Sequence, residues 1–384
     1  MKLKDLRKPF LRLAMTFPGD STIWGPPRRH PAKMVEVAAE SKAEVAELVH
    51  AHPPGTIWRK KPALPLKCPT HRLFDIPLAR QTPTYLARLP HGRILGPTIA
   101  VLTSADRVLT DVSLDWGHRG LNHFAYRRFR LPRCRNFNGT GLVLACTGAD
   151  TYYHWLIDAL PRLAIAAKAR GPRWQPDWWI VNTIDKAFVR ESLKLFGIPL
   201  SRVIPLAQNP HVRFSNLWVP SLPSEGSSGN PPFWVAEYLR AVVFSQIPRV
   251  SSPEYPTRRL WIDRSRCAAR NPAMLGNSRK ILREAGFTIV TLEKMPWVKQ
   301  IRLFQEAEWI AGPHGAGFSG LLFSKRPKIL DIFESRYVNA CYYTLSQLVN
   351  GDYHYHIIKA GKKQPFEIGA DLMASFTKMA GVSA

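Results

Sequence analysis

The chain has 384 residues, 45% of them hydrophobic, and carries a formal net charge of +26 with a pI near 10.2. That length and apolar content suit two domains with separate cores and exclude a disordered chain. The charge points to anionic partners: nucleotide sugars, phospholipid surfaces, lipid-linked phosphates or nucleic acids.

Cys68, Cys134, Cys146, Cys267 and Cys341 form no CxxC pair and no metal-ligand spacing. Their odd number and wide scatter favour a reducing compartment, hence a cytoplasmic protein. No apolar run approaches the ~20 residues that span a bilayer. The first residues, MKLKDLRKPFLRLAM, are basic but lack a long apolar core and a cleavage site, so they do not read as a secretory signal. Leu3, Leu6, Phe10 and Leu13 would line one side of a short surface-seeking helix. The plainer alternative is a frayed basic tail.

In chain order, residues 1–65 read as a basic, loosely ordered arm with one helix over residues 35–50. Residues 66–220 read as the first globular part. It opens with a β meander, with short strands expected at 72–76, 84–89, 93–95, 99–103 and 107–111. A buried strand follows at 141–146, a helix at 152–170, a strand at 178–181, a helix at 186–196 closed by Gly197, and short strands at 203–205 and 217–219. Residues 221–257 read as a linker, with PSLPSEGSSGNPP at residues 220–232 and a helix over 233–247. Residues 258–384 form a second α/β part. Its strands are expected at 260–263, 288–292, 308–311, 328–333 and 353–358, and its helices at 274–285, 297–306, from 316, and within 367–380. The alternation implies an α/β fold with mainly parallel sheets, whose ligands sit beyond the carboxyl ends of the strands. Two such halves joined by a Pro/Gly/Ser loop imply a cleft between them.

Three groups of residues carry chemistry. In WIAGPHGAGFSGLLF, residues 309–323, a strand feeds a helix through a turn containing Gly312, His314, Gly315, Ala316 and Gly317. Free N–H groups at the helix start attract an anion, most often phosphate, and His314 can add a donor. The plainer reading is a connecting turn. In YYHWLIDALPRL, residues 152–163, His154, Asp158 and Arg162 fall at i, i+4 and i+8 and would share a helix face. Pro161 should kink or restart that helix. His154 or Asp158 would then serve as a general base, unless the pair is structural. Arg264 and Arg270, beyond the strand at 260–263, can bind phosphate or simply belong to an exposed basic loop. No two aspartates are separated by a single residue, so the carboxylate cluster of a metal-bridged pyrophosphate site is missing.

Taken in order, these motifs together with GFTIVTLE and KILDI resemble the family 61 glycosyltransferases, in particular the bacterial branch of capsular polysaccharide synthesis. The resemblance covers roughly residues 70–355. It implies a GT-B fold of two facing Rossmann-like domains, with the nucleotide sugar on the C-terminal domain and the acceptor side on residues 66–220. It also implies inversion at the anomeric carbon with no obligatory metal or other cofactor. Carried over, Asp158, with His154 as rival or partner, is the catalytic base, and Tyr153 and Arg162 lie on the acceptor side. Arg264, Arg270, Gly312, His314, Gly315, Ala316 and Gly317 hold the donor. Asp331 falls where the family usually has Glu, and Asp331 or Glu334 would accept the ribose hydroxyls. Met274, Lys299 and Ser319-Gly320 depart from the family pattern. The partners implied are a nucleotide sugar, a glycan or lipid-linked acceptor, and an anionic membrane surface met by the basic arm. Two alternatives remain. One is a non-catalytic nucleotide-sugar-binding relative acting as scaffold or sensor. The other is a basic nucleic-acid binder, which no zinc or recognition-helix pattern supports.

Overall fold

Apolar runs too short for a helix and flanked by turn formers become strands buried on both faces. The computed structural model describes residues 11–59, 61–75, 78–224, 229–248, 258–265, 272–359 and 367–381. The chain divides into two compact units, one of Met1–Gly55 with Thr82–Ser228 and the other of Thr56–Gln81 with Gly229–Ala384.

The first unit is built on a mixed sheet. Across it the strands run Glu47–His52, Thr84–Pro90, His211–Pro220, Arg135–Val143, Trp178–Val181 and Val203–Pro205. The last four are mutually parallel and the first three antiparallel. Arg93–Leu95 and Ala100–Leu102 extend the sheet from His211–Pro220. The meander and the α/β strands therefore share one sheet, with the ten-residue strand His211–Pro220 as the joint. Leu89, Val101, Val143, Ile180, Phe214 and Leu217 pack into one core along it.

The second unit carries a six-stranded sheet, every pair of which is parallel. Its order is Thr288–Val290, Arg259–Ile262, Trp309–Pro313, Lys328–Glu334, Asp352–Ile358, with the two-residue strand Leu64–Pro65 at the edge. The five long strands, numbered along the chain, stand in the order 2-1-3-4-5, a doubly wound arrangement. The helix Ala370–Met379 covers one face, its Phe376 edge-on to Trp309 and tilted against Phe287. Each such buried side chain contributes roughly 1.5–3 kcal/mol relative to an exposed one.

Several expected elements differ. The helix expected over 35–50 ends at Glu40, because Glu47–His52 instead pairs with Thr84–Pro90 at the sheet edge. Within the strand expected at 72–76, Arg72–Phe74 is instead a single 3-10 turn whose Phe74 ring lies 4.2 Å from that of Tyr355, and Ile76 lies outside the described residues. Residues 107–111 make only isolated bridges at Val108 and Leu109. The strand expected at 141–146 begins at Arg135 and ends at Val143. The helix expected from 274 begins at Ser278, since Ala273–Met274 pairs with Glu367–Ile368.

One polar group of the first unit fixes a pH dependence. His211 is fully buried; its Nδ1 donates to the Pro132 carbonyl, and its Nε2 lies 3.3 Å from Arg93 Nη1. Burial, aided by the Arg93 charge, lowers its pKa from 6.5 to about 4. The unfolded chain thus takes up a proton near pH 6.5 that the folded chain refuses until about pH 4. Stability is full above that window and is lost as pH falls through it. His52 acts in the same sense. Thermal denaturation should give a lower Tm at pH 5 than at pH 7, and His211→Gln, which can serve both neighbours without titrating, should narrow that gap.

Candidate active site

In the first unit the segment after Arg135–Val143 leads into the helix carrying His154. Pro161 has no N–H to give. Ahead of it the helix widens into a π turn, Trp155–Ala159, in which Leu160 N–H reaches the Trp155 carbonyl at 2.9 Å. The α-helix restarts as Arg162–Arg170. His154 and Asp158 remain on one side, with Nδ1 donating to Asp158 Oδ2 at 2.8 Å. Asp158 is nearly enclosed, at 9% side-chain exposure against 21% for His154. Trp116 lies over the imidazole with ring centroids 5.1 Å apart, and Gly148 permits this because a Cβ there would overlap both rings. Leu114, Cys146, Thr147 and Leu222 complete the recess. Burial pushes the Cys146 thiol far above its usual range, so it stays protonated and is no nucleophile.

The extra residue of the π turn carries Arg162 off this face. Arg162 is fully buried and donates to the carbonyls of Ala145, at 2.6 Å, and Pro220. Burial lowers its pKa to about 10, opposed by Cys146, Tyr85 and Asp158, and it remains charged at neutral pH. Arg162 therefore braces the ends of two strands and is not a surface for an acceptor. Tyr153 is buried too, with its ring edge-on to His154.

In the second unit the order 2-1-3-4-5 reverses direction between Arg259–Ile262 and Trp309–Pro313. Crossovers leave such a point on opposite faces, which opens a crevice beyond the carboxyl ends. Arg264 follows the first of these strands and His314 to Gly317 the second. Gly312, at φ 153°, lies against the Ile262 backbone, where a Cβ would come within 2.6 Å of the carbonyl oxygen. At Gly315 a Cβ would stand 1.6 Å from Arg264 Nη1, so the guanidinium rests directly on the turn. The element that follows, Ala316–Phe323, is a 3-10 helix whose first N–H groups have no intrahelical partner.

His314 stands behind this turn. It is buried, its Nδ1 lies 2.9 Å from Asp331 Oδ2, and the Tyr353 hydroxyl donates to the same oxygen at 2.7 Å. Phe333 stacks on the imidazole at 4.6 Å and Tyr342 tilts against it at 4.8 Å. Asp331 is wholly buried, so it orients His314 and cannot meet a ribose. Glu334 is drawn into an ion pair with Arg336. Arg270 lies outside the described residues. Sequence reasoning missed the Tyr353, Tyr342 and Phe333 surround of His314, as well as Trp116 over His154. Only the Asp-Trp-Gly of residues 115–117, a large aromatic in a turn, hinted at the latter.

A doubly wound sheet with an arginine and a glycine turn at its switch point is the framework of α/β domains that take phosphorylated ligands. Residues 152–330 match the family described as Glycosyltransferase 61. That stretch is a glycosyltransferase 61 domain, which implies sugar transfer from a donor to an acceptor. It begins two residues before His154 and ends one residue before Asp331. No curated protein is significantly similar to the chain.

Replacing Arg162 by Met should cost about 2–4 kcal/mol, because it leaves two buried carbonyls unpaired. The loss should register as a lowered denaturation midpoint.

Proposed function

We propose that this protein is an inverting, metal-independent glycosyltransferase that moves a sugar from a nucleotide sugar to a hydroxyl of a glycan or lipid-linked acceptor in capsular polysaccharide synthesis. The observation that carries the donor side is the contact of Arg264 with Gly315 at the switch point of a parallel sheet. The amides of Gly315, Ala316 and Gly317, with Arg264, hold the diphosphate and stabilise the charge it gains on leaving. Arg270 belongs to the same basic segment. His314, held by Asp331, keeps the turn in shape.

The division of labour is that of the GT-B enzymes, with the donor on one α/β unit and the acceptor base on the other. The pairing within the first unit favours His154 as base and Asp158 as its orienting carboxylate. Because Nδ1–H donates to Asp158, the ring's lone pair is on Nε2. The acceptor hydroxyl gives its proton to Nε2 while its oxygen bonds to the anomeric carbon. The bond from that carbon to the nucleoside diphosphate breaks, and its electron pair leaves on the phosphate oxygen. The absence of an Asp-x-Asp sequence supports a leaving group met by cations and amides alone. Cys68, Cys134 and Cys146 form no disulfide, in keeping with a cytoplasmic protein working at the inner face of the membrane.

A thermal-shift screen with nucleoside diphosphates, followed by transfer assays on a panel of nucleotide sugars, tests this reading. One base should stabilise selectively. His154→Ala should lower kcat by roughly 10²–10⁴ without weakening that stabilisation, and Asp158→Asn should lose less. Gly315→Ala, which displaces the Arg264 guanidinium, should weaken diphosphate binding about tenfold or more while leaving Tm nearly unchanged. Tight donor binding without turnover would favour a non-catalytic binder. If no nucleotide sugar is hydrolysed or transferred, and Asp158→Asn and His314→Ala leave cellular polysaccharide unchanged, the enzyme reading fails.

A further inference from the structure

Two segments of the first unit, residues 11–30 and 119–135, are joined side by side. Gly25 N–H donates to the Phe129 carbonyl at 3.0 Å, Leu131 N–H donates to the Ile23 carbonyl at 2.9 Å, and Trp24 bridges Arg130. Leu11, Met15, Phe124 and Tyr126 anchor both segments in a common apolar cluster. Yet Leu13, Phe17, Ile23, Trp24 and Phe129 point outward, 41% to 71% exposed. Among the described residues they are five of the twelve large apolar side chains that stand out into solvent, so the concentration is local.

Their setting is cationic. The two segments hold nine arginines and a single carboxylate, Asp20. Arg12, Arg29, Arg127, Arg130 and Arg133 are exposed. Arg28 has another task. Its guanidinium donates to the carbonyls of Ala14, Gly19, Trp24 and Pro26 and lies over the Phe17 ring. It pins the loop that presents Phe17, Ile23 and Trp24, so little ordering is required when they are buried elsewhere.

We infer that this patch is the surface by which the protein sits on an anionic phospholipid bilayer, with the apolar side chains entering the headgroup boundary and the arginines meeting lipid phosphates. Aromatic and aliphatic tips ringed by arginine fit an interface that is apolar below and negative at its surface. A polynucleotide would use the cations and the aromatic faces but has no use for Leu13 and Ile23. The inference rests on the reading above only in naming where the membrane is met; the patch contains none of the residues assigned to sugar transfer.

Co-sedimentation of the whole protein with vesicles tests it, using phosphatidylcholine alone or with about one-third phosphatidylglycerol. Binding should require the anionic lipid. Arg130→Glu with Arg133→Glu should lower the partition coefficient by roughly five-fold or more per arginine. Phe17→Ser with Trp24→Ser should abolish the part of binding that survives high salt, which screens charges beyond about 8 Å at physiological ionic strength and less at higher. Both variants should keep the parent Tm and full transfer to a water-soluble acceptor. Failure of vesicle binding with transfer intact would therefore sink this inference alone. Equal binding by all proteins would overturn it. So would a dimer in light scattering that the Ser variant dissolves, or a loss confined to polynucleotide binding.

Discussion

Two neighbouring parallel strands whose crossovers depart on opposite faces must leave a gap beyond their carboxyl ends. In the second unit that constraint falls between Arg259–Ile262 and Trp309–Pro313. Everything assigned to the donor follows from it. The chain leaving the first strand brings Arg264, the chain leaving the second brings the glycine turn, and the absence of a Cβ at Gly315 lets the two touch. The aromatic surround of His314 and its Asp331 partner make the turn a rigid part of the sheet. In the proposed reaction, such a preorganised set of amides and a guanidinium would act on developing charge without reorganising.

Each unit pairs an imidazole with a more deeply buried carboxylate, His154 with Asp158 and His314 with Asp331. The pairs differ in exposure, and that difference separates their roles. His154 borders a recess, whereas His314 is closed in by rings. The same criterion separates the charged residues of YYHWLIDALPRL. An i, i+4, i+8 row would keep Arg162 beside His154 on an ideal helix. One π turn breaks the row and turns the guanidinium inward to two backbone carbonyls.

Much of this was legible in the sequence. The strands at 178–181 and 203–205 and the helix at 297–306 are where apolar period and turn residues put them. The His154–Asp158 pair was legible from spacing and the glycine turn from composition. What was not legible depended on distant partners. The segment at residues 47–52 has the composition of a helix, and only an edge position beside Thr84–Pro90 makes it a strand. Asp331 reads as a ribose ligand until Tyr353, 22 residues on, is seen to share its oxygen with His314. Arg162 reads as a site residue until the carbonyls at residues 145 and 220 claim it. In each case local chemistry offers a role, and burial decides against it.

The strand Leu64–Pro65 and the Phe74 ring belong to the second unit, although the rest of that unit begins only at Gly229. Leu64 pairs with His354, about 290 residues later, and Phe74 fills a place among Phe333, Tyr343, Tyr353 and Tyr355. During synthesis this early segment emerges long before its neighbours exist, so the second unit cannot be completed until the last strands leave the ribosome. A gene fragment starting at the Gly229 boundary would encode that unit with its aromatic keystone missing.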